Sequence, residues 1–526
     1  MYYSFLRKYR FQIAVLGFLA VTVFLSSCHH REKGKKFLAP IEQVIQLDSS
    51  RIGVSTVISD LNVPWEIAWG PDGEIWFTEQ SGRISKVDPH TGVRKTLLII
   101  PGVYRERTSG LLGMAIDPDK NQPYLVVDYT CFDKDSNRIS KLVRYTYTPD
   151  TLKDPRILLE VPAGKGHNGS RVAFSPDGKV WWATGDAQSG QAQNPASPNG
   201  KTLRLNIDGS IPSDNPIPGN PVWSRGHRNI EGLVFTPDGI LFSSEHGEAT
   251  DDEINIIQKG GNYGWPDVQG FVDLPREKTY ADSTPIVEPI KAWTPTIAPS
   301  GLDYYHSDKI PEWNNALLLA TLKGTSLRVL KLNKAKSAIV SEKIFLEKRY
   351  GRLRDVCVSP DGDVYVSTSN HDWNPLGVPA PHDDRILRIA RINPGDDLSR
   401  VREKEGAPAS TATGSLAEGT RGAVIYGSYC ASCHKEDGKG ITGTFPALSG
   451  NVLVTGDRQT LIGILLKGDA AVPESGRGQY DEKMPAFDFL NDHDIAAVLS
   501  YVRSAWDNKA DSIDRSMVAE TRKNLK

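Results

Sequence analysis

The C-terminal part of the chain carries two cysteines and a histidine at a spacing that can bind a haem. Cys430, Cys433 and His434 form the pattern Cys-x-x-Cys-His. In this pattern two thiols add across the vinyl groups of a porphyrin, and the adjacent imidazole gives the iron an axial nitrogen. A zinc or redox Cys-x-x-Cys site is the alternative, but zinc needs a second ligand pair and neither needs the histidine. The pattern predicts a covalently bound haem c.

The second axial ligand of this haem is predicted to be Met484. It lies 50 residues after His434, within Lys-Met-Pro-Ala-Phe, and is one of only four methionines in the chain. Methionine in an apolar loop is more often packing material, and His493 is the other candidate ligand. Ligation by Met and His raises the haem potential, which suits an electron acceptor.

An amphipathic helix is predicted over 491–506, because apolar residues recur there at helical spacing. Residues 420–508 resemble a class I cytochrome c domain, which this helix would close. We therefore expect a small all-α domain, followed by a C-terminal tail over 509–526.

The larger N-terminal part repeats one sequence pattern, in which alternating apolar residues are followed by Pro-Asp-Gly or a variant and then by a second alternating strand. The repeated prolines lie at intervals of 47, 58, 61 and 123 residues, and they are Pro71, Pro118, Pro176, Pro237 and Pro360. The last interval spans two repeats, with a degenerate copy near Ile310. Each repeat predicts a β-hairpin, and repeats of this length are typical of propellers. We expect an all-β six-bladed β-propeller over 52–394, followed by a linker over 395–419.

The N-terminus predicts export and a lipid anchor. Basic residues precede an apolar run over 11–25, which is typical of a signal peptide and too short to span a membrane. Leu-Ser-Ser-Cys then resembles a bacterial lipobox, which implies a signal peptide over 1–27 and acylation of Cys28. A polar tether is expected over 28–51. The protein is therefore expected outside the cytoplasm, bound to a bacterial membrane only through its lipid.

Composition excludes several classes of protein. The 526 residues include 62 basic and 64 acidic side chains, so no overall positive charge recruits nucleic acid. Five cysteines are too few for a disulfide scaffold in so long a chain. Cys131 and Cys357 lie in or beside predicted strands of different blades, and we expect them to be buried thiols.

Polar segments occur at the predicted blade edges and would converge on one mouth of the propeller. They are His-Asn-Gly-Ser-Arg from His167, Gly-His-Arg-Asn from Gly226, Asp-Asp-Glu-Ile-Asn from Asp251, Gly-Gly-Asn-Tyr-Gly-Trp-Pro from Gly260 and Arg-Leu-Arg-Asp from Arg352. Arginine forks bind polyanions, carboxylates bind hard cations, and histidine can act as a general base. No Gly-x-Gly-x-x-Gly motif indicates a nicotinamide or flavin module.

Together these segments resemble the glucose/sorbosone dehydrogenase family, whose aldose sugar dehydrogenases use pyrroloquinoline quinone (PQQ) and calcium. The resemblance covers the whole predicted propeller. It implies that His167 is the general base that removes the proton from the C1 hydroxyl of a sugar. It also implies that Arg228 and Asn229 contact the cofactor.

The same resemblance assigns the remaining site residues. Lys323, Arg352 and Arg354 match basic residues that face the cofactor carboxylates. Glu253 and the segment at Tyr263 match calcium ligands. Thr108 stands where the family usually has glutamine, and this departure puts cofactor affinity or substrate preference in doubt.

These features predict a PQQ- and calcium-dependent dehydrogenase that oxidises an aldose-type sugar and passes electrons to its own haem and then to a respiratory or soluble acceptor. Oxidation of sorbosone or of another aldehyde or alcohol is an alternative. A third possibility is a non-catalytic binding propeller tethered to an electron-carrier cytochrome, since propellers are commonly binding platforms.

Overall fold

The computed structural model describes residues 39–119, 121, 123–372, 383–401, 418–474, 478, 480 and 483–525. The predicted signal peptide and the acylation site at Cys28 lie outside these residues. Within them, every helix is too short or too polar to cross a membrane.

Six antiparallel sheets form the propeller, and each is one blade. Blades 1 and 2 consist of β3 (Pro64–Trp69), β4 (Ile75–Glu79), β5 (Arg83–Val87), β6 (Arg94–Ile99), β7 (Leu111–Ile116), β8 (Tyr124–Phe132), β9 (Arg138–Tyr147) and β10 (Leu152–Pro162). Blades 3 and 4 consist of β11 (Gly169–Phe174), β12 (Val180–Thr184), β13 (Lys201–Leu205), β14 (Val222–Arg225), β15 (Ile230–Phe235), β16 (Leu241–Glu245), β17 (Asp252–Ile256) and β18 (Lys291–Trp293). Blade 5 consists of β19 (Pro299–Tyr305), β20 (Ala316–Thr321), β21 (Ser326–Leu332) and β22 (Ile339–Phe345). Blade 6 consists of β1 (Gln43–Gln46), β2 (Arg51–Ile58), β23 (Leu353–Val358), β24 (Val364–Thr368) and β25 (Ile386–Arg391).

The six-bladed prediction is confirmed, and the ring is closed by both ends of the propeller segment. The first strand of each of blades 1 to 5, and β23 of blade 6, contacts its neighbours around a central axis. In blade 6 the strand order is β1-β2-β25-β24-β23, so N-terminal strands complete a sheet begun by C-terminal ones. The predicted tether over 28–51 is therefore too long. Gln43 pairs with Val54 in that sheet, because its backbone extends the ladder of β2.

The Pro-Asp-Gly turns form for a local reason. Gly178 follows Pro-Asp between β11 and β12 with φ at +73°, a conformation that costs glycine little. The alternating pattern then buries the hairpin, and all five residues of β12 are buried. Cys131 and Cys357 are buried free thiols in β8 and β23, as expected.

Helices replace strands after the propeller. One helix, α1 (Pro275–Ala281), lies within blade 4. The C-terminal helices are α2 (Glu418–Ile425), α3 (Ala431–His434), α4 (Val452–Thr455), α5 (Arg458–Lys467), α6 (Asp492–Ser504) and α7 (Arg515–Asn524).

The C-terminal domain is built around the close approach of α2 and α6. A Cβ atom at Gly422 would lie 2.3 Å from the carbonyl oxygen of Ala497, so glycine permits the contact. The predicted helix over 491–506 is observed as α6, and the Asn491 side chain caps it by accepting from the Asp494 amide. The residues of the predicted tail include α7, whose Val518 is buried in the domain core.

A network of buried charges ties the inner strands together near the axis. Arg171 of β11 lies 2.6 Å from Glu66 of β3 and 3.0 Å from Asp355 of β23. Arg354 of β23 lies 2.8 Å from Glu231 of β15. Burial opposes the charge of Arg171, but Asp355 and Glu66 outweigh that cost and raise the pKa of its guanidinium. The network joins blades 1, 3, 4 and 6.

Replacing Arg171 with Met should destabilise the propeller by about 3–5 kcal/mol, because two carboxylates would lose their buried counter-charge. The measurement is the thermal unfolding midpoint. Lys343→Met is the matched control, since Lys343 pairs with Asp48 at an exposed site and its loss should change little. Adding Glu66→Gln to Arg171→Met should restore part of the loss. An Arg171→Met midpoint equal to that of the control would contradict the role of the network.

Candidate functional site

One end of the propeller collects the predicted site residues. The start of the first strand of a blade pairs with the end of the second, as Gly169 does with Thr184 and Ile230 with Glu245. Loops that enter a blade therefore meet the turns between second and third strands at the same end. We call this end the mouth, and it carries His167, Asp186, Arg228, His246, Lys323 and Arg352.

His167 is paired with a carboxylate at the mouth. Its Nδ1 lies 2.9 Å from Oδ1 of Asp186, and the indole of Trp265 donates to the other oxygen at 2.8 Å. Burial favours the neutral acid, but hydrogen bonds led by that from His167 lower the pKa of Asp186. The carboxylate therefore stays ionised. Its hydrogen bond with Nδ1 fixes the orientation of the imidazole ring.

Two hydrogen bonds fix the backbone around His167, one to a backbone amide and one to the side chain of Asn229. His167 itself has φ at +52°, and its carbonyl accepts from the Ala187 amide at 2.9 Å. Asn229 accepts from the Gly169 amide at 2.9 Å and donates to Glu231 at 2.9 Å. Its predicted contact with the cofactor would use the second N–H of this amide.

The four predicted cations at the mouth differ in how well the protein neutralises them. Arg354 contacts both Glu231 and Asp372, whereas Arg352 is 3.9 Å from Asp372. Burial lowers the pKa of Arg352 to about 10. The buried Nε of Arg228 has no hydrogen-bond partner among the residues that the structure describes. Arg352 is therefore paired less closely with a carboxylate than Arg354 is, and Arg228 keeps one guanidinium nitrogen for another acceptor.

Lys323 is the fourth cation, and it has neutral partners. Its Nζ donates to the Thr296 hydroxyl and to the Ser428 carbonyl, each at 2.9 Å, which leaves a third N–H. Burial lowers the pKa of Lys323 although Asp252 opposes the shift. Incompletely compensated cations, together with the guanidinium nitrogen of Arg228 that lacks a partner among the described residues, fit a polycarboxylate such as PQQ.

His246 is a second imidazole at the mouth. Burial, and then the charges of Arg228 and Arg354, lower the pKa of His246 well below its usual value. Its buried Nε2 has no hydrogen-bond partner. A neutral ring whose Nε2 has no hydrogen-bond partner in the described part of the chain therefore lies near Arg228 and Arg354.

Thr108 lies in a loop that hydrogen bonds of the Gln80 side chain hold in place. The Gln80 side chain donates to the Arg107 carbonyl at 2.7 Å and accepts from Arg105 at 3.0 Å. The hydroxyl of Thr108 is buried without a partner. The amide that is missing at position 108 is thus not replaced by Gln80, whose polar atoms serve the loop.

The predicted calcium ligands, Glu253 and Tyr263, lie in blade 4 and differ in the hydrogen bonds that their oxygens already make. Glu253 is opposite Glu245 on the neighbouring strand. Burial, and then the charge of Glu245, raise the pKa of Glu253 to about 8. The buried Oδ1 of Asn255 has no partner. Both oxygens of Glu253 already accept hydrogen bonds, from the Asn255 side chain and the Gly270 amide, and no group of three acidic, His or Cys side chains in the described parts of the chain could hold a metal alone. A cation here would have to share Glu253 with these donors and take further oxygen ligands from the backbone.

The phenol hydroxyl of Tyr263 is already hydrogen-bonded within the protein. Its hydroxyl donates to the Ile256 carbonyl at 2.7 Å and accepts from the Gln258 amide at 2.8 Å. Its ring stacks on His227 with centroids 4.5 Å apart. Within this segment the backbone is therefore the better candidate for binding a cation than the phenol.

The haem motif lies on α3 and the residues before it. The Nδ1 of His434 lies 2.9 Å from the Pro446 carbonyl, which fixes the ring and leaves Nε2 for iron. Burial lowers the pKa of His434, so the imidazole is neutral. Among the described residues Cys430 and Cys433 form no disulfide, and Met484 packs against the core of the domain. These residues fit a covalently attached haem.

The geometry agrees with two matches to known families. A model described as Glucose / Sorbosone dehydrogenase matches residues 61–376. The chain belongs to this family. A Cytochrome c model matches residues 419–506, so the C-terminal helices form a cytochrome c domain, which implies haem c. Membership identifies the protein as an oxidoreductase with its own electron-transfer domain.

Individual relatives support both assignments. Quinoprotein glucose dehydrogenase B of Acinetobacter calcoaceticus is 34% identical over 417 residues, covering 62% of this chain and 87% of that protein. The PQQ-bound aldose sugar dehydrogenase of Streptomyces coelicolor is 33% identical with a TM-score of 0.56, covering 65% of this chain and 99% of that one. Cytochrome c-552 of Thermus thermophilus is 42% identical over 89 residues, covering 16% of this chain and 67% of that protein.

Most of these side chains were predicted from the sequence, but Asp186 and His246 were not. Asp186 was not predicted, although it follows a buried strand at the mouth end, as Glu245 does in the next blade. His246 was not among the predicted site residues either. Its buried Nε2 has no hydrogen-bond partner among the described residues, which is the signal that only the structure provides.

Replacing Met484 with His should leave the haem attached, because Cys430 and Cys433 are unchanged, and should lower its midpoint potential. Spectroelectrochemical titration of the haem-loaded protein measures this. Met517→His is the control, because Met517 lies on α7, and it should leave the potential unchanged. An unaltered potential in Met484→His would exclude Met484 as the axial ligand.

Proposed function

We propose that the protein oxidises an aldose-type sugar at its C1 hydroxyl, with PQQ and calcium at the mouth of the propeller, and that electrons pass to its own haem c. The observation that carries this proposal is the His167–Asp186 pair beside incompletely neutralised cations. An ionised Asp186 keeps the imidazole oriented and stabilises the imidazolium that forms when Nε2 takes the hydroxyl proton.

Different residues of the chain would bind the quinone and the calcium ion. When bound, PQQ supplies a two-electron acceptor, calcium a Lewis acid and haem c a one-electron carrier. Arg228, Arg352 and Lys323 would hold the carboxylates of the quinone. Glu253 and the backbone of the Tyr263 segment would hold calcium.

The location of this chemistry is part of the same proposal. Acylation of Cys28 would hold the protein on the outer side of a bacterial membrane, with no spanning segment. There the haem would deliver electrons to a respiratory or soluble acceptor. Mass spectrometry of the mature N-terminus tests the anchor directly.

Replacing His167 with Gln should lower sugar oxidation by about 10²–10⁴-fold, because the general base is lost. The protein is supplied with haem, PQQ and calcium, and turnover is followed with a dye that accepts electrons directly from the reduced quinone. His306→Gln is the matched control, because His306 is exposed at the opposite end of β19 and should retain full activity.

A panel of aldoses, sorbosone, other aldehydes and alcohols separates the alternatives. Preference for an aldose supports the proposal, and preference for sorbosone or an alcohol replaces its substrate. If no compound in the panel reduces the dye although PQQ is bound, the propeller is a binding platform and the enzyme proposal fails. Full turnover by His167→Gln would exclude His167 as the base.

Calcium should raise the unfolding midpoint of the PQQ-free protein by a few degrees, because it binds the folded state only. Glu253→Gln should abolish the shift, because it removes one of two opposed carboxylates. Glu347→Gln is the control, because Glu347 is exposed. Equal shifts in both variants would mean that calcium binds elsewhere.

A further inference from the structure

The cytochrome c domain contacts the propeller at the mouth. Lys323 lies in the turn between β20 and β21, and its Nζ donates to the carbonyl of Ser428, two residues before Cys430. Lys323 is also one of the cations available to an anionic cofactor. A single ammonium group therefore touches both the cofactor site and the haem-attachment segment.

Three further contacts surround this one. Arg107, beside Thr108, donates to the Thr444 hydroxyl at 2.7 Å. Arg276 of α1 lies 3.0 Å from Asp488. Ala249, three residues after His246, packs against the hydrophobic core of the cytochrome domain. The contacts thus come from separate loops around the mouth, on more than one side of it.

The chemistry of the contact is asymmetric. The propeller contributes the cationic side chains Arg107, Arg276 and Lys323, and the cytochrome domain contributes oxygen acceptors. Where the structure describes both domains, loops make these contacts, and no propeller strand packs broadly against a cytochrome helix. Arg276 and Asp488 are 53% and 40% exposed, so their attraction is weak and sensitive to salt.

A weak contact is enough because both partners are on one chain. The linker keeps the cytochrome domain at a high effective concentration near the mouth, so a few polar contacts can select one docked orientation. The same weakness allows the two surfaces to separate when a substrate enters or a product leaves.

We propose that the mouth of the propeller is the docking surface for the haem-attachment face of the cytochrome domain, and that Lys323 is the positioning residue at their junction. This inference rests on the proposed function for the origin of the electrons. With the cytochrome domain docked in this way, the electrons leave the sugar site through the same opening that admits the sugar.

The electron balance follows from the chemistry. Oxidation of a sugar at C1 to a lactone removes a hydride and the hydroxyl proton, which amounts to two electrons and two protons. One haem carries one electron, so its iron must change from ferric to ferrous twice for each sugar. An external one-electron acceptor reoxidises the iron each time, and both protons are released to solvent.

The test uses the full-length, haem-loaded chain and the double variant Arg107→Gln/Arg276→Gln, which leaves His167 and the cofactor cations unchanged. The matched control is Arg156→Gln/Arg391→Gln, because both arginines are exposed on strands away from these contacts. Hydrogen–deuterium exchange is measured without PQQ. We expect faster exchange in the 322–325 turn and the 426–430 segment of the docking variant only.

With PQQ, calcium and sugar, the rate of haem reduction in a single turnover should fall by about threefold or more in the docking variant, as expected for loss of two polar contacts. Direct dye reduction should stay at the wild-type rate. High salt should slow haem reduction in the wild type and have less effect on the variant. Lys323→Met should slow haem reduction and also weaken PQQ binding.

The outcomes distinguish the two proposals. Unchanged exchange together with unchanged haem reduction in the docking variant would overturn the docking surface. Absence of any dye reduction would overturn the proposed function, and the exchange measurement would still decide whether the two surfaces dock.

Discussion

The buried charge network near the propeller axis is the constraint on which the site depends. Arg171 joins Glu66 and Asp355 from strands more than 100 residues away in the chain, so three blades meet at one guanidinium. Separating these strands would leave a buried charge unpaired, which is strongly destabilising. The strands fixed in this way begin at the mouth, where Arg228 and Arg352 lie just before β15 and β23, and Arg354 is the second residue of β23.

Charge compensation decreases from the axis towards the mouth. Arg171 and Arg354 have carboxylate partners within the propeller, whereas Arg352 has a distant one and Arg228 retains an unpaired nitrogen. The carboxylates near the axis thus lie closer to their arginines than the carboxylate that faces Arg352 does. That difference turns a structural feature of the fold into a binding site for an anion, and it also attracts the acceptor oxygens of the cytochrome domain.

The parts of the structure that local rules control could be predicted from the sequence. Pro-Asp-Gly turns specify hairpins because their backbone angles suit those residues, and Cys-x-x-Cys-His specifies haem attachment by covalent chemistry. The pairing of β1 with β2 was missed because its four residues have no clear alternation. The partnership of His167 with Asp186 depends on two loops that meet only after the blade forms. The contact between Lys323 and Ser428 joins residues 105 positions apart, and nothing in either segment marks it.

The position of β25 has an evolutionary consequence. As the last strand of the propeller, it lies between β2 and β24 and not at an edge of its sheet. Any segment joined after Arg391 is therefore attached to a strand whose hydrogen bonds are already satisfied on both sides. Gain or loss of a C-terminal module would expose no new sheet edge and would leave the ring closed. A cytochrome gene fused at this point would thus have joined a complete enzyme, and selection could then have acted on the few surface residues that dock it.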